Sequence, residues 1–108
     1  MTSLTFEDFK KLDLRIARIV DVEEIPGADR IWKLVIDVGG EKKQIVAGVK
    51  LYYPRESLLG KFIVVLNNLV PSVIRGVESQ GMLLAAKSDA GLTLLTVDKE
   101  LPAGSLIG

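Results

Sequence analysis

Short β-branched runs, none longer than five consecutive apolar residues, recur along this chain between turns that contain glycine. Phe62 to Leu66 and Met82 to Ala86 are the longest of them. Strands of that length at such close spacing, with little helical periodicity between them, indicate a small all-β barrel. A mean hydropathy of +0.32 could suggest a membrane protein. A spanning helix, however, needs about 20 consecutive apolar residues, so no membrane partner is expected. At 108 residues the chain is the size of one compact domain. A single domain over 1–108 is expected, with residues from about 88 to 108 forming an extension.

The elements can be placed one by one. Thr5 stands as N-cap of a short helix that ends near Leu12, with Glu7 and Asp8 in its first turn and Leu4 and Phe9 spaced for a hydrophobic staple. Leu14 to Val22 reads as a strand with Leu14, Ile16, Val20 and Val22 on one face. Arg18 interrupts that face beside Ala17, which predicts a bulge there. Trp32, Leu34, Ile36 and Val38 share one face of a second strand. Gly39-Gly40 makes the hairpin turn, and Lys42 to Val49 returns as the partner. Tyr52 to Gly60 is expected to be a loop with one helical turn, closed by Gly60. A fully buried strand follows over Phe62–Leu66, a long loop over Asn67–Gln80, a strand over Gly81–Ala86 and a sixth strand over Leu92–Val97.

Charge is balanced over the whole chain and uneven along it. Fourteen basic and fourteen acidic residues give a net charge of zero. The ends are acidic, while residues 30–87 hold nine basic and four acidic groups. A positive stripe on a neutral body suits either a shape-selective nucleic-acid binder or an ordinary solvated surface. With no Cys and no His, the chain cannot form disulfides, thiolate or imidazole metal sites, a Ser-His-Asp triad or a Cys-His dyad. No clustered carboxylates at metal spacing and no Gly-rich phosphate loop are found, so neither catalysis nor a cofactor is expected. The acidic start, Met1 to Asp8, lacks the basic and apolar regions of an export signal, which predicts a cytoplasmic location.

Five runs in order carry a family likeness: Leu12-Asp13-Leu14-Arg15-Ile16, Pro26-Gly27-Ala28-Asp29-Arg30, Ile45-Val46-Ala47-Gly48, Asn68-Leu69-Val70-Pro71, and the twelve residues Arg75 to Ala86. Together they resemble the tRNA-binding domain found at the C-terminus of methionyl-tRNA synthetases, or as their separate β subunit, and in related stand-alone tRNA-binding proteins. The resemblance covers about Phe6 to Leu101. It implies an OB-fold, a five-stranded barrel with a short N-terminal helix and a C-terminal β extension. It implies tRNA as ligand, with a methionyl-tRNA synthetase catalytic subunit as a possible partner. The family's stand-alone members dimerise through the extension, which implies a homodimer.

In an OB-fold, nucleic acid lies across the outer face of strands two and three and between the flanking loops. Lys33 and Lys43, with Lys42, would come from that face and reach phosphates. In the long loop, Asn68 would offer a donor and an acceptor to a base edge, and Arg75 would fork onto a phosphate or stack on a base. Ser79 and Met82 flank Gly81 in the family's Ser-x-Gly-Met run and would pack against a splayed base. Met82 also suits core packing at a strand start. Trp32 shares its face with Leu34 and Ile36, which puts the core ahead of base stacking. Val70 and Val73 occupy positions that in the family usually carry basic residues, and Ile25 stands where a His is common. Two missing phosphate contacts would weaken binding by about an order of magnitude at moderate salt. The alternative to a tRNA module is a protein-interaction or chaperone-like module on the same barrel, close to an export-associated family with a similar opening.

Overall fold

The computed structural model describes residues 2–108 and builds a nearly closed, five-strand, OB-like barrel. Helix α1 spans Phe6–Lys10. Thr5 caps it as expected: its hydroxyl accepts from the Asp8 amide at 3.1 Å, and the Asp8 carboxylate accepts from the Thr5 amide at 3.3 Å. The helix stops before Leu12, with Lys11 as its C-cap. Leu4 stays 75% exposed, so the expected staple buries little of it.

Strand β1, Leu14–Glu24, is the spine of the barrel. It pairs antiparallel with β2 (Trp32–Asp37) and with β4 (Phe62–Leu66). Strand β3 (Lys42–Ala47) returns along β2 through the Gly39-Gly40 turn, where the Asp37 carboxylate accepts from both glycine amides at 2.9 Å. The second helix, α2, is the expected single turn, Arg55–Leu58. The buried core holds Ala17, Ile19 and Val22 of β1, Trp32, Leu34 and Ile36 of β2, Ile45 and Ala47 of β3, Ile63 and Val65 of β4, and Leu58 of α2.

The bulge in β1 lies at Val20, not beside Arg18. The register passes from Ile19 opposite Ile36 to Asp21 opposite Val35, leaving Val20 unpaired and exposed. Ala17 and Ile19 face the core before the bulge and Val22 after it, so Arg18 points outward in register and packs over the Phe62 ring. Ile16 is buried on the opposite side by the C-terminal segment, whose Ser105 carbonyl accepts from the Ile16 amide at 3.0 Å. Strand β4 alternates between buried and half-buried residues rather than being buried throughout.

The expected long loop contains a second hairpin. Strands β5 (Ser72–Ile74) and β6 (Val77–Ser79) pair across a two-residue turn, Arg75-Gly76, in which both φ angles are positive at 54° and 79°. The run from Gly81 to Ala86 also divides. Strand β7 (Met82–Leu83) pairs with β4, the chain turns at Leu84, and β8 (Ala85–Ser88) pairs instead with β9 (Gly91–Leu94). Strand β9 ends before Val97. A short β10, Leu106–Ile107, not anticipated from the sequence, pairs with the start of β1.

The main sheet runs β3-β2-β1-β4-β7. Side chains finish the closure between β3 and the end of β6. The Gln80 backbone N–H donates to the Gln44 backbone carbonyl at 2.9 Å, and the Gln80 side-chain oxygen accepts from the Gln44 backbone N–H at 3.0 Å. The Ser79 hydroxyl takes the next amide, that of Val46, at 3.0 Å.

Candidate nucleic-acid interface

Strand alternation sends Lys33, Val35 and Asp37 of β2 to the outer face, opposite Val46, Gln44 and Lys42 of β3. From β1, Glu23 stands beside Lys33 and Asp21 beside Val35. Lys33 is bound to Glu23 at 3.5 Å, and Asp21 to Arg55 at 3.1 Å. The middle of this face is therefore charge-compensated. Trp32 is in the core, 6% exposed, with its indole N–H donating to the Tyr53 carbonyl at 2.9 Å. No aromatic ring stands on the outer strand residues of this face, so the sheet centre is not a stacking platform.

The cations outside ion-pair distance of a carboxylate lie at the ends, with Asp37 opposite Lys42. At the Asp37 end of β2 an open groove of about 390 Å³ runs between Glu41, Lys42 and Lys43 on one side and Asn67 to Pro71 on the other, with Gln80 completing it. Lys43 has the register of Ile45 and Ala47, so it lies at the barrel mouth rather than beside Lys33. Its ammonium donates to the Asn67 carbonyl at 3.3 Å. Lys42 is exposed, and neither lysine has a carboxylate within ion-pair distance among the described residues.

Asn68 shares this groove with Lys43, and its exposed amide spends one of two acceptor sites and one of two donors within the fold. Its oxygen accepts from the Asp13 amide at 3.0 Å and its nitrogen donates to the Lys11 carbonyl at 2.7 Å. Next to it the Asn67 amide donates to the Asp13 carboxylate at 3.0 Å, and Arg15 donates to the same carboxylate at 2.6 Å. The Asn67 hydrogen bond first, and that of Arg15 second, hold the Asp13 carboxyl below the usual carboxylate range. Arg15 also reaches the Gly104 carbonyl at 3.1 Å. The Leu12-to-Ile16 run and the Asn67-Asn68 pair thus tie the N-terminal helix, the loop after β4 and the C-terminal segment together.

Ser79 is 5% exposed, and its hydroxyl accepts from Val46 and donates to the Gly81 carbonyl at 3.0 Å. A Cβ on Gly81 would stand 2.9 Å from the Leu66 carbonyl oxygen, so only glycine lets the chain pass there. Both residues serve the barrel seam. Met82 is 52% exposed on β7, which leaves its thioether at the surface rather than in the core.

Arg75 stands apart from the groove, at the tip of the β5–β6 hairpin. It lines a smaller cleft of about 220 Å³ with Ile74 and the loop residues Gly27 to Ile31. That loop brings in Arg30, a cation not singled out in the sequence, although it closes the Pro26-to-Arg30 run.

Fold and site together define a small OB-type barrel with cationic loops flanking a charge-compensated strand face. The family model described as "Putative tRNA binding domain" matches residues 14–106, and the chain belongs to that family. A methionine–tRNA ligase of Thermotoga maritima is 50% identical over 105 residues, covering 97% of this chain and 17% of the ligase. The chain therefore spans about one-sixth of that relative's length. Among solved structures, a MetRS related protein from Pyrococcus horikoshii superposes with a TM-score of 0.93 at 33% identity, covering 100% of both chains. The chaperone CsaA of Bacillus anthracis superposes with a TM-score of 0.88 at 34% identity, covering 99% of this chain and 100% of that one.

Proposed function

We propose that this chain is a non-catalytic tRNA-binding module that acts in the cytoplasm, either within or in trans to a methionyl-tRNA synthetase, and raises the concentration of tRNA at the catalytic part. The observation that carries this reading is the groove at the barrel mouth. There Lys42 and Lys43, which have no carboxylate within ion-pair distance among the described residues although Glu41 shares the groove and Asp37 lies opposite Lys42, face the Asn67–Pro71 loop in a chain matched by a tRNA-binding family over 14–106. A groove of that kind suits a phosphate backbone, with the apolar Leu69 and Val70 beside it suiting a sugar or an unstacked base. Lys43 and Arg75 contact phosphate in this reading, and Met82 offers an exposed thioether to a base. Asn68 and Ser79 act by positioning the loop and the seam. Lys33, held by Glu23, contributes least.

Binding is a matter of shape and charge, with little preference among tRNAs. Fluorescence anisotropy with mixed tRNA at low and moderate salt tests it. About three phosphate contacts per chain, from Lys42, Lys43 and Arg75, give a slope of log affinity against log salt near −3. Undetectable binding at low salt would overturn the reading, and capture of unfolded polypeptide without RNA would favour a chaperone-like role instead.

We further propose a homodimer. A cleft of about 280 Å³ separates α1 from β10 and is lined by Phe6, Phe9, Leu12, Leu106, Ile107 and Gly108, with Lys10 its one charged residue, and of these Phe6 and Leu106 are about 70% exposed. Two copies joined there would present two weak cationic grooves to one tRNA, so that the second contact forms at high effective concentration.

A further inference from the structure

We infer that Arg30 and Arg75 form a second anion site, a two-armed phosphate clamp separate from the Lys42–Lys43 groove, and that the clamp receives the backbone of the bound RNA. This rests on the tRNA reading above. The two arginines line one cleft from opposite sides, Arg30 on the loop between β1 and β2 and Arg75 at the tip of the β5–β6 hairpin. Both are exposed, and neither has a carboxylate within ion-pair distance among the described residues.

Each arm is held still. The loop is anchored by Ile25 and Ala28, both at least 94% buried, and Lys50 donates its amide to the Arg30 carbonyl and its ammonium to the Ala28 carbonyl, each at 3.2 Å. The hairpin is fixed to β3 by the Ser79 and Gln80 contacts. Arg75 is also the one non-glycine residue with positive φ among the described residues, at 54°. It occupies the first position of a turn in which asparagine and glycine are favoured and arginine is strained. An arginine kept where the backbone prefers another residue, facing a second unpaired arginine across a cleft, is accounted for by what its guanidinium binds.

Distance separates the two sites. Arg30 precedes β2 and Lys42 lies opposite its far end, so they stand about 20 Å apart along a strand that rises about 3.3 Å per residue. No single phosphate reaches both. One RNA backbone would have to touch the barrel at two places, with the charge-compensated face of Glu23, Lys33, Asp21 and Arg55 between them. Asp29 also lines the cleft and opposes an anion there.

The test is an amide-resolved NMR titration of the full chain with intact tRNA and, separately, with a single-stranded RNA hexamer, alongside affinity measurements on variants. Asn suits the Arg75 turn, so Arg75→Asn keeps the fold. The clamp requires Arg75→Asn and Arg30→Gln each to weaken tRNA binding by roughly three- to tenfold and to reduce the salt slope by about one. Arg30→Lys should restore part of the loss and Asp29→Asn should tighten binding. The amides of 27–31 and 74–76 should shift. If tRNA binds, both arginine variants bind as tightly as the parent, and the shifts are confined to the Lys42–Lys43 groove, the clamp is wrong and the tRNA reading stands. If the hexamer shifts 27–31 and 74–76 while tRNA does not bind, the clamp stands and the tRNA reading fails. No shift there with either RNA overturns the clamp.

Discussion

The Ser79 hydroxyl accepts the Val46 amide at 3.0 Å across the gap between β6 and β3 and donates to the Gly81 carbonyl at the same distance. A side chain here supplies a rung of the barrel that the backbone does not. Replacing the buried Ser79 with Ala leaves the amide of half-buried Val46 unpartnered, which costs about 1–3 kcal/mol. Urea unfolding should show that loss, while tRNA affinity measured well below the transition should change less than twofold. A loss of affinity at unchanged stability would return Ser79 to direct contact with RNA.

Gly81 is the second half of the same device. Gly81→Ala drives a methyl carbon to 2.9 Å from the Leu66 carbonyl oxygen, so β7 must move off β4. Destabilisation of about 1–3 kcal/mol is expected, as for overpacking elsewhere. A thermal transition within one degree of the parent would show that the strands accommodate the methyl.

Arg75→Gly should do the opposite. Removing the strain of a positive-φ arginine stabilises the hairpin by about 1 kcal/mol. A lower transition temperature would mean that the arginine side chain makes stabilising contacts within the hairpin that outweigh its backbone strain.

Acid sensitivity follows from Asp13. Its carboxyl is held below its ordinary value of 3.8 by Asn67 and then by Arg15. The unfolded chain therefore takes up a proton at a higher pH than the native one. The stability from this carboxylate is fully present above pH 3.8 and is lost as the pH falls through the lower native value. Asp13→Asn removes that dependence, so stability measured from pH 5 down to pH 2.5 should fall less steeply in the variant than in the parent. Parallel curves would show that Asp13 does not carry the effect.

How much of the fold is legible in the sequence depends on how local each feature is. Thr5, the Gly39-Gly40 turn and the inward face of Trp32, Leu34 and Ile36 were legible because each depends on neighbours in sequence. The Val20 bulge was not, because Ile16 mimics a core position while being covered by residues about 90 positions away. The β5–β6 hairpin was hidden because every residue of β5 is exposed, leaving no alternation to read, and because Arg75 is unusual in its turn. The family runs were visible as a signature, yet their composition could not show that Ser79 spends its hydroxyl within the fold and that Asn68 spends one donor and one acceptor there. Arg30 became a candidate only when the hairpin brought Arg75 to the same cleft.

The dimer proposal is best tested by a point substitution. Deleting the chain after Lys87 would remove Leu94, which is 6% exposed and part of the core, along with Leu92 packed against it, so the product should be insoluble whatever its natural assembly. Leu106 is different, being 72% exposed at the end of the chain, where it pairs through its backbone with Arg15. A glutamate there keeps the β10 backbone contacts and adds no buried charge to a single chain. In a two-fold interface built on the α1–β10 cleft, the same change places two carboxylates in a mainly apolar contact whose one cation, Lys10, is already paired with Glu7, since each copy contributes the same patch. Light scattering at micromolar concentration should give the mass of two chains for the parent and of one for Leu106→Glu, with the same unfolding midpoint at high dilution and weaker tRNA binding because the paired contact is gone. A parent with the mass of one chain refutes the dimer, and a variant that remains dimeric moves the interface away from this cleft.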